Sequence, residues 1–131
     1  MLSALSRPVT GRSLAIPAAL ALTGVCVVHL LDGPGSLSDV FYIRALELAL
    51  AAACVPLAVL LVVRPTRPIW TAALALNVAA LAAFVLSRTT GLPSSTDDIG
   101  NWTQTLGVVN LVVEGALIAF AATVIRPRRH R

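Results

Sequence analysis

Ionisable and amide side chains lie inside or at the border of otherwise apolar stretches of the sequence, among them His29, Arg44, Glu47, Asn77, Arg88, Asn110 and Glu114. Groups of this kind are costly at hydrocarbon depth, so each is a functional-site candidate by default. Arg44 and Glu47 are three residues apart and can pair across one helical turn. Asn110 stands one turn before Glu114 on the same helical face, and Gly107 and Thr103 extend that stripe. At about 1.5 Å of rise per residue, Glu114 and Asn77 come roughly 13–17 Å from the arginine-bearing ends of their stretches, near a midplane. His29 and Glu47 fall together at a different depth, closer to the opposite face. Arg88 follows Asn77 by almost a whole number of turns. The spacing thus predicts an outer cluster of His29, Arg44, Glu47 and Arg88 and a midplane group of Asn77, Asn110 and Glu114.

Each group has a plain structural reading and a functional one. A self-satisfied polar set fixes helix register, at about 0.6 and up to roughly 2 kcal/mol per interhelical contact. The functional reading is a ligand or proton site. Glu114, whose evident partners are neutral amides, is the side chain a proton-coupled carrier would use.

Metal, haem and nucleophile chemistry find little support. His29 is the one histidine inside an apolar stretch, and bis-histidine haem ligation needs two. Cys26, His29 and Glu47 together would suit copper or zinc, but free cysteine is also a common small apolar residue. No metal or cofactor is expected, nor a disulfide between Cys26 and Cys54, which fall at different depths. No phosphate loop, nucleophile elbow or paired His-Glu motif occurs, so no catalytic residue is assigned and an enzyme is the least favoured class.

The stretch from Ser87 to Trp102 is the most specific polar segment. Gly91 and Pro93 indicate a structured turn, and Asp97, Asp98 and Trp102 are candidates to close over an outer mouth. Ordinary turn chemistry explains the glycine and proline equally well.

The elements that carry these residues follow from composition. The 131 residues are 57% hydrophobic and 12% charged, too few charges to cover a water-facing surface. This excludes a soluble enzyme, a disordered tail and a nucleic-acid binder despite a net charge of +4. A membrane-crossing helix needs about 20 mostly apolar residues, and stretches 13–31, 40–63, 68–87 and 101–125 qualify. They are continuous and rich in Ala and Leu, which favours helices over the alternating strands of a barrel. Arg7 and Arg12 before an apolar run resemble a signal peptide. The small residues lie mid-run, however, and Val25 is too bulky before Cys26 for lipoprotein cleavage, so an uncleaved first span is expected.

All ten basic residues are arginine. Arg7, Arg12, Arg64, Arg67, Arg126, Arg128, Arg129 and Arg131 fall on one side, and Asp32, Asp39, Asp97 and Asp98 on the other. The positive-inside rule then predicts both termini in the cytoplasm. Trp70 is expected at the inner interface, and Phe41, Tyr42 and Trp102 at the outer one. The arginine tail reads as a topology anchor touching anionic headgroups. Pro17 and Pro56 are expected to kink their spans. Small-residue ridges at Ala45, Ala49 and Ala53, at Ala75, Ala79 and Ala83, and at Gly115, Ala119 and Thr123 are expected to pack helices closely. The expected fold is all-α, one integral membrane domain over residues 1–131 forming an up-down-up-down transmembrane four-helix bundle.

His29-Leu30, Phe41-Tyr42 leading into Glu47, the run Ser87-Arg88-Thr89-Thr90-Gly91-Leu92-Pro93, and Gly107 with Glu114 together resemble a group of small four-span actinobacterial membrane proteins. The resemblance covers about His29 to Glu114, and the Ser-Arg-Thr-Thr-Gly-Leu-Pro run is its sharpest element. It implies a bacterial inner-membrane location and transfers no catalytic or binding role.

Two functional readings follow. The favoured one is an accessory or assembly subunit of a larger membrane complex, partnered by lipid and by another membrane protein or a second copy. Its alternative is a small carrier or sensor for a proton, metal ion or hydrophobic ligand, using Glu114 and the His29/Glu47/Arg88 cluster.

Overall fold

The computed structural model describes residues 11–36 and 40–126; Arg7, Asp39, Arg128, Arg129 and Arg131 lie outside them. Four helices follow one another: α1 Arg12–Ser36, α2 Phe41–Val63, α3 Arg67–Thr89 and α4 Thr105–Ile125. The fold is all-α, and all four helices are long and apolar enough to cross a membrane, α1 through Arg12–Leu31. In hydrocarbon no water can satisfy the backbone, so helices that bond internally are the natural state of such segments. Arg64 N–H donates to Leu60 O to close α2, Trp70 N–H donates to Thr66 O to open α3, and Pro68 sits in the first turn. That is where a missing N–H costs least. Both α1 and α2 stay helical through Pro17 and Pro56. Each proline removes one ladder bond without ending its helix.

The helices are arranged in a ring. α1 packs on α2 and α4, α3 packs on α4, and α2 meets α3 only lightly. The dry core lies in the half of the bundle farther from the 90–104 loop. There Ala15, Ala18, Leu22 and Val25 of α1 pack with Cys54, Leu61, Trp70, Ala73, Leu117, Ala121 and Val124. Trp70, in the first turn of α3, is fully buried among them.

Two expectations change. α4 begins at Thr105, so Asn101, Trp102 and Thr103 belong to the loop. The predicted small-residue ridges do not pack the helices of one chain together: Ala45, Ala49, Ala75, Ala79, Ala83, Gly115, Ala119 and Thr123 are all exposed, which leaves them open to a second copy or another membrane protein. Alanine so abundant on every side of a helix does not reveal which side packs.

Candidate functional site

The polar residues gather in the loop half of the bundle, and their pairing differs from that expected from depth alone. His29 Nε2 of α1 lies 3.6 Å from Glu114 Oε1 of α4. Axial counting put them in different layers, and it counts Cα atoms only. Gly24 lies beside Val113, where an added Cβ would be 3.2 Å from Val113 Cγ1. His29 is therefore only about 9 Å farther along than Glu114. Side chains lean toward the start of their own helix, so in this antiparallel pair His29 and Glu114 lean toward each other. Glu114 is fully buried, and neither of its oxygens accepts a hydrogen bond among the described residues. The separation from His29 is too long for one.

Arg44 Nη1 and Glu47 Oε2 lie 3.6 Å apart across one turn of α2, the pairing the spacing predicts. Arg88, 5% exposed at the end of α3, is the hub of the loop half. Its Nη1 is 2.9 Å from Asp98 Oδ2, and its Nη2 donates to Gln104 Oε1 at 2.7 Å. The guanidinium carbon lies 4.6 Å from the centre of the Phe84 ring, a cation–π contact. Phe84 in turn meets Trp102 edge to face, with centroids 6.2 Å apart. Gly107 makes this possible, because an added Cβ would fall 3.0 Å from Phe84 Cε2 and 3.5 Å from Arg88 Nη2.

The loop closes over these groups. Gly91, at φ 77°, takes the left-handed conformation after α3 and donates to Leu86 O, a Gly-type helix stop. Leu92 and Ser95 pair in a short bridge, and Gly100 N–H donates to Arg88 O. Tyr42 Oη of α2 donates to Pro93 O at 2.6 Å, tying the far side down. Asp98 and Trp102 thus tie the loop to α3 through Arg88 and Phe84, whereas Asp97 is exposed and outside these contacts.

The midplane group is only partly assembled. Asn77, fully buried, spends its Nδ2 on Ala73 O at 2.8 Å, and its Oδ1 has no partner among the described residues. No hydrogen bond joins it to Glu114 among those residues. Asn110 is 4% exposed, and its Oδ1 likewise accepts nothing there.

A cavity of about 440 Å³ lies where α2 and α3 part. Its polar lining is His29, Glu47, Ser87, Arg88, Ser95, Asp98 and Asn110; its apolar walls include Leu50, Leu76 and Ala80. Leu46, Ala49, Ala79 and Ala83 line it and are exposed as well, so it opens sideways between the two helices. Small-molecule sites typically occupy about 300–1,000 Å³ and pair apolar walls with a few polar groups. Both cysteines are free, and no three His, Cys, Asp or Glu among the described residues are grouped to hold a metal ion. Cys26, His29 and Glu47 are therefore not drawn together into the three-ligand set weighed above.

Reasoning from sequence missed Phe84 and Gln104 as partners of Arg88. Phe84 had a signal, since it precedes Arg88 by four residues on a helix. Gln104 had none, being reached only after the loop folds back. No protein-family model, curated protein or solved structure matches the chain.

Proposed function

We propose that this is a bacterial inner-membrane protein, with both termini cytoplasmic, that holds a hydrophobic molecule taken laterally from the bilayer. The orientation is supported by the arginines at one end of the bundle. The binding role is supported by the cavity between α2 and α3, which opens on the face that meets lipid in a spanning bundle and is lined by buried polar groups at its loop end. Polar side chains beside a void are costly unless something satisfies them. A bound molecule with a polar head and an apolar body would do so. The bundle acts as a carrier or sensor of that molecule.

Native mass spectrometry of protein extracted gently from its own membrane, with an absorption spectrum of the same sample, tests the reading. A small-molecule mass bound at one per chain is expected. A bare chain from several extraction conditions would contradict it.

One observation favours the accessory-subunit reading alongside this one. Gly115, Ala119 and Thr123 form an exposed small-residue stripe on α4, beside Val112, and an added Cβ at Gly115 would touch nothing within 4 Å. Such a stripe lets another helix approach closely. A co-purifying protein at fixed stoichiometry in the same spectrum is the result that reading expects.

A further inference from the structure

The charges in and around the cavity are matched one to one. Arg88 faces Asp98 at 2.9 Å, Arg44 faces Glu47 at 3.6 Å, and His29 faces Glu114 at 3.6 Å. Arg88 is further engaged by Gln104 and by the face of Phe84. An anionic head entering here would have to take Arg88 from Asp98 or lie against Glu47 and Asp98. A cationic head would have to take an acid from its arginine. Either way a desolvated charge is left without its partner, which is the expensive outcome in a low-dielectric site.

Hydrogen-bonding capacity outside those pairs is what stays unspent: Asn110 Oδ1, His29 Nδ1 and Arg88 Nε make no hydrogen bond among the described residues. Asn110 and Arg88 are each at least nine-tenths buried, and all three residues line the cavity. The polar lining is concentrated toward the loop, with Ser87, Arg88 and Asp98. Leu50, Leu76 and Ala80 lie deeper and are apolar.

Resting on the binding role proposed above, we infer that the ligand is an uncharged amphiphile whose single head carries a hydroxyl, able to donate to Asn110 Oδ1. The head lies beside His29 and Asn110. The apolar body runs along Leu50, Leu76 and Ala80 and emerges between α2 and α3. The loop held by Arg88–Asp98 roofs the head, and the paired charges act as a filter against ionic lipids.

The test is photolabelling in phosphatidylcholine nanodiscs with a diazirine-bearing hexadecanol, competed by hexadecanol, hexadecanoate or hexadecylammonium at neutral pH. Saturable labelling of residues on α2 and α3 that line the cavity is expected. Hexadecanol should compete about tenfold better than the acid or the amine, the factor expected where a charged hydrogen-bond partner must be displaced. N110L should weaken labelling about fivefold, the loss of one neutral hydrogen bond. Ala80→Phe fills the apolar end without touching a polar group and should abolish labelling, which keeps the test decisive if N110L folds poorly. Stronger competition by the acid or the amine would overturn the uncharged head while leaving a ligand site. Absence of saturable labelling in the cavity would overturn the ligand site itself.

Discussion

His29 of α1 and Glu114 of α4 approach to 3.6 Å in the middle of the bundle, joining two helices that the chain order separates by α2 and α3. Glu114 is fully buried, and His29 also borders the cavity. The pair therefore links the bundle's interior to the proposed ligand.

Removing His29 alone should cost more than changing both residues. His29→Ala leaves a buried carboxyl without its partner and should destabilise by about 1–3 kcal/mol. Glu114→Gln keeps the shape and should cost less. The double variant His29→Ala/Glu114→Gln should recover part of the His29→Ala loss. Unfolding in detergent, read as a double-mutant cycle, checks this, and strictly additive losses would show that the two residues do not interact.

Arg88 should matter more to the loop than to the helices. Arg88→Ala strips Asp98 and Gln104 of their shared partner and Phe84 of its cation. Hydrogen exchange should quicken across residues 90–104 while α1 and α4 stay protected. Asp98→Asn should show the same pattern more weakly, by about 0.5–1.5 kcal/mol, because a neutral amide can still accept from the guanidinium.

Two glycines on α4 should respond oppositely to the same methyl group. At Gly107 the added carbon meets Phe84 at 3.0 Å, so Gly107→Ala should cost about 1–3 kcal/mol by pushing the ring off Arg88. At Gly115 nothing lies within 4 Å, so Gly115→Ala should leave monomer stability within about 0.5 kcal/mol. A large loss at Gly115 would mean that the α4 stripe is covered by a partner. Thermal melts of the two variants make the comparison.

Tyr42→Phe removes the one hydroxyl joining α2 to the loop at Pro93. The expected loss is about 0.5–1.5 kcal/mol. It should be accompanied by a change in Trp102 fluorescence, because the loop carrying that indole is released on one side.

Helix number and the all-α class were legible because a run of apolar residues long enough to cross a bilayer leaves few alternatives. Arg44–Glu47 was legible because both lie on one helix at a spacing of three. The His29–Glu114 pair was hidden because depth counted along separate helices ignores the lean of each side chain toward its own N-terminus. The start of α4 was misjudged because Trp102 and Gln104 serve the loop through Phe84 and Arg88, contacts between residues distant in sequence. The alanine ridges misled for a different reason. Small residues lie on all sides of α2 and α3, and only packing against α1 for α2 and against α4 for α3 selects which side is inward.

The central claim is that the space between α2 and α3 is a binding site, and one comparison tests it most directly. Wild-type protein and Ala80→Phe would be extracted gently from the same host membrane and their small-molecule content measured by native mass spectrometry. The account predicts one uncharged amphiphile per wild-type chain and none on the folded Ala80→Phe variant. The same bound masses on both proteins, or none on the wild type, would contradict it.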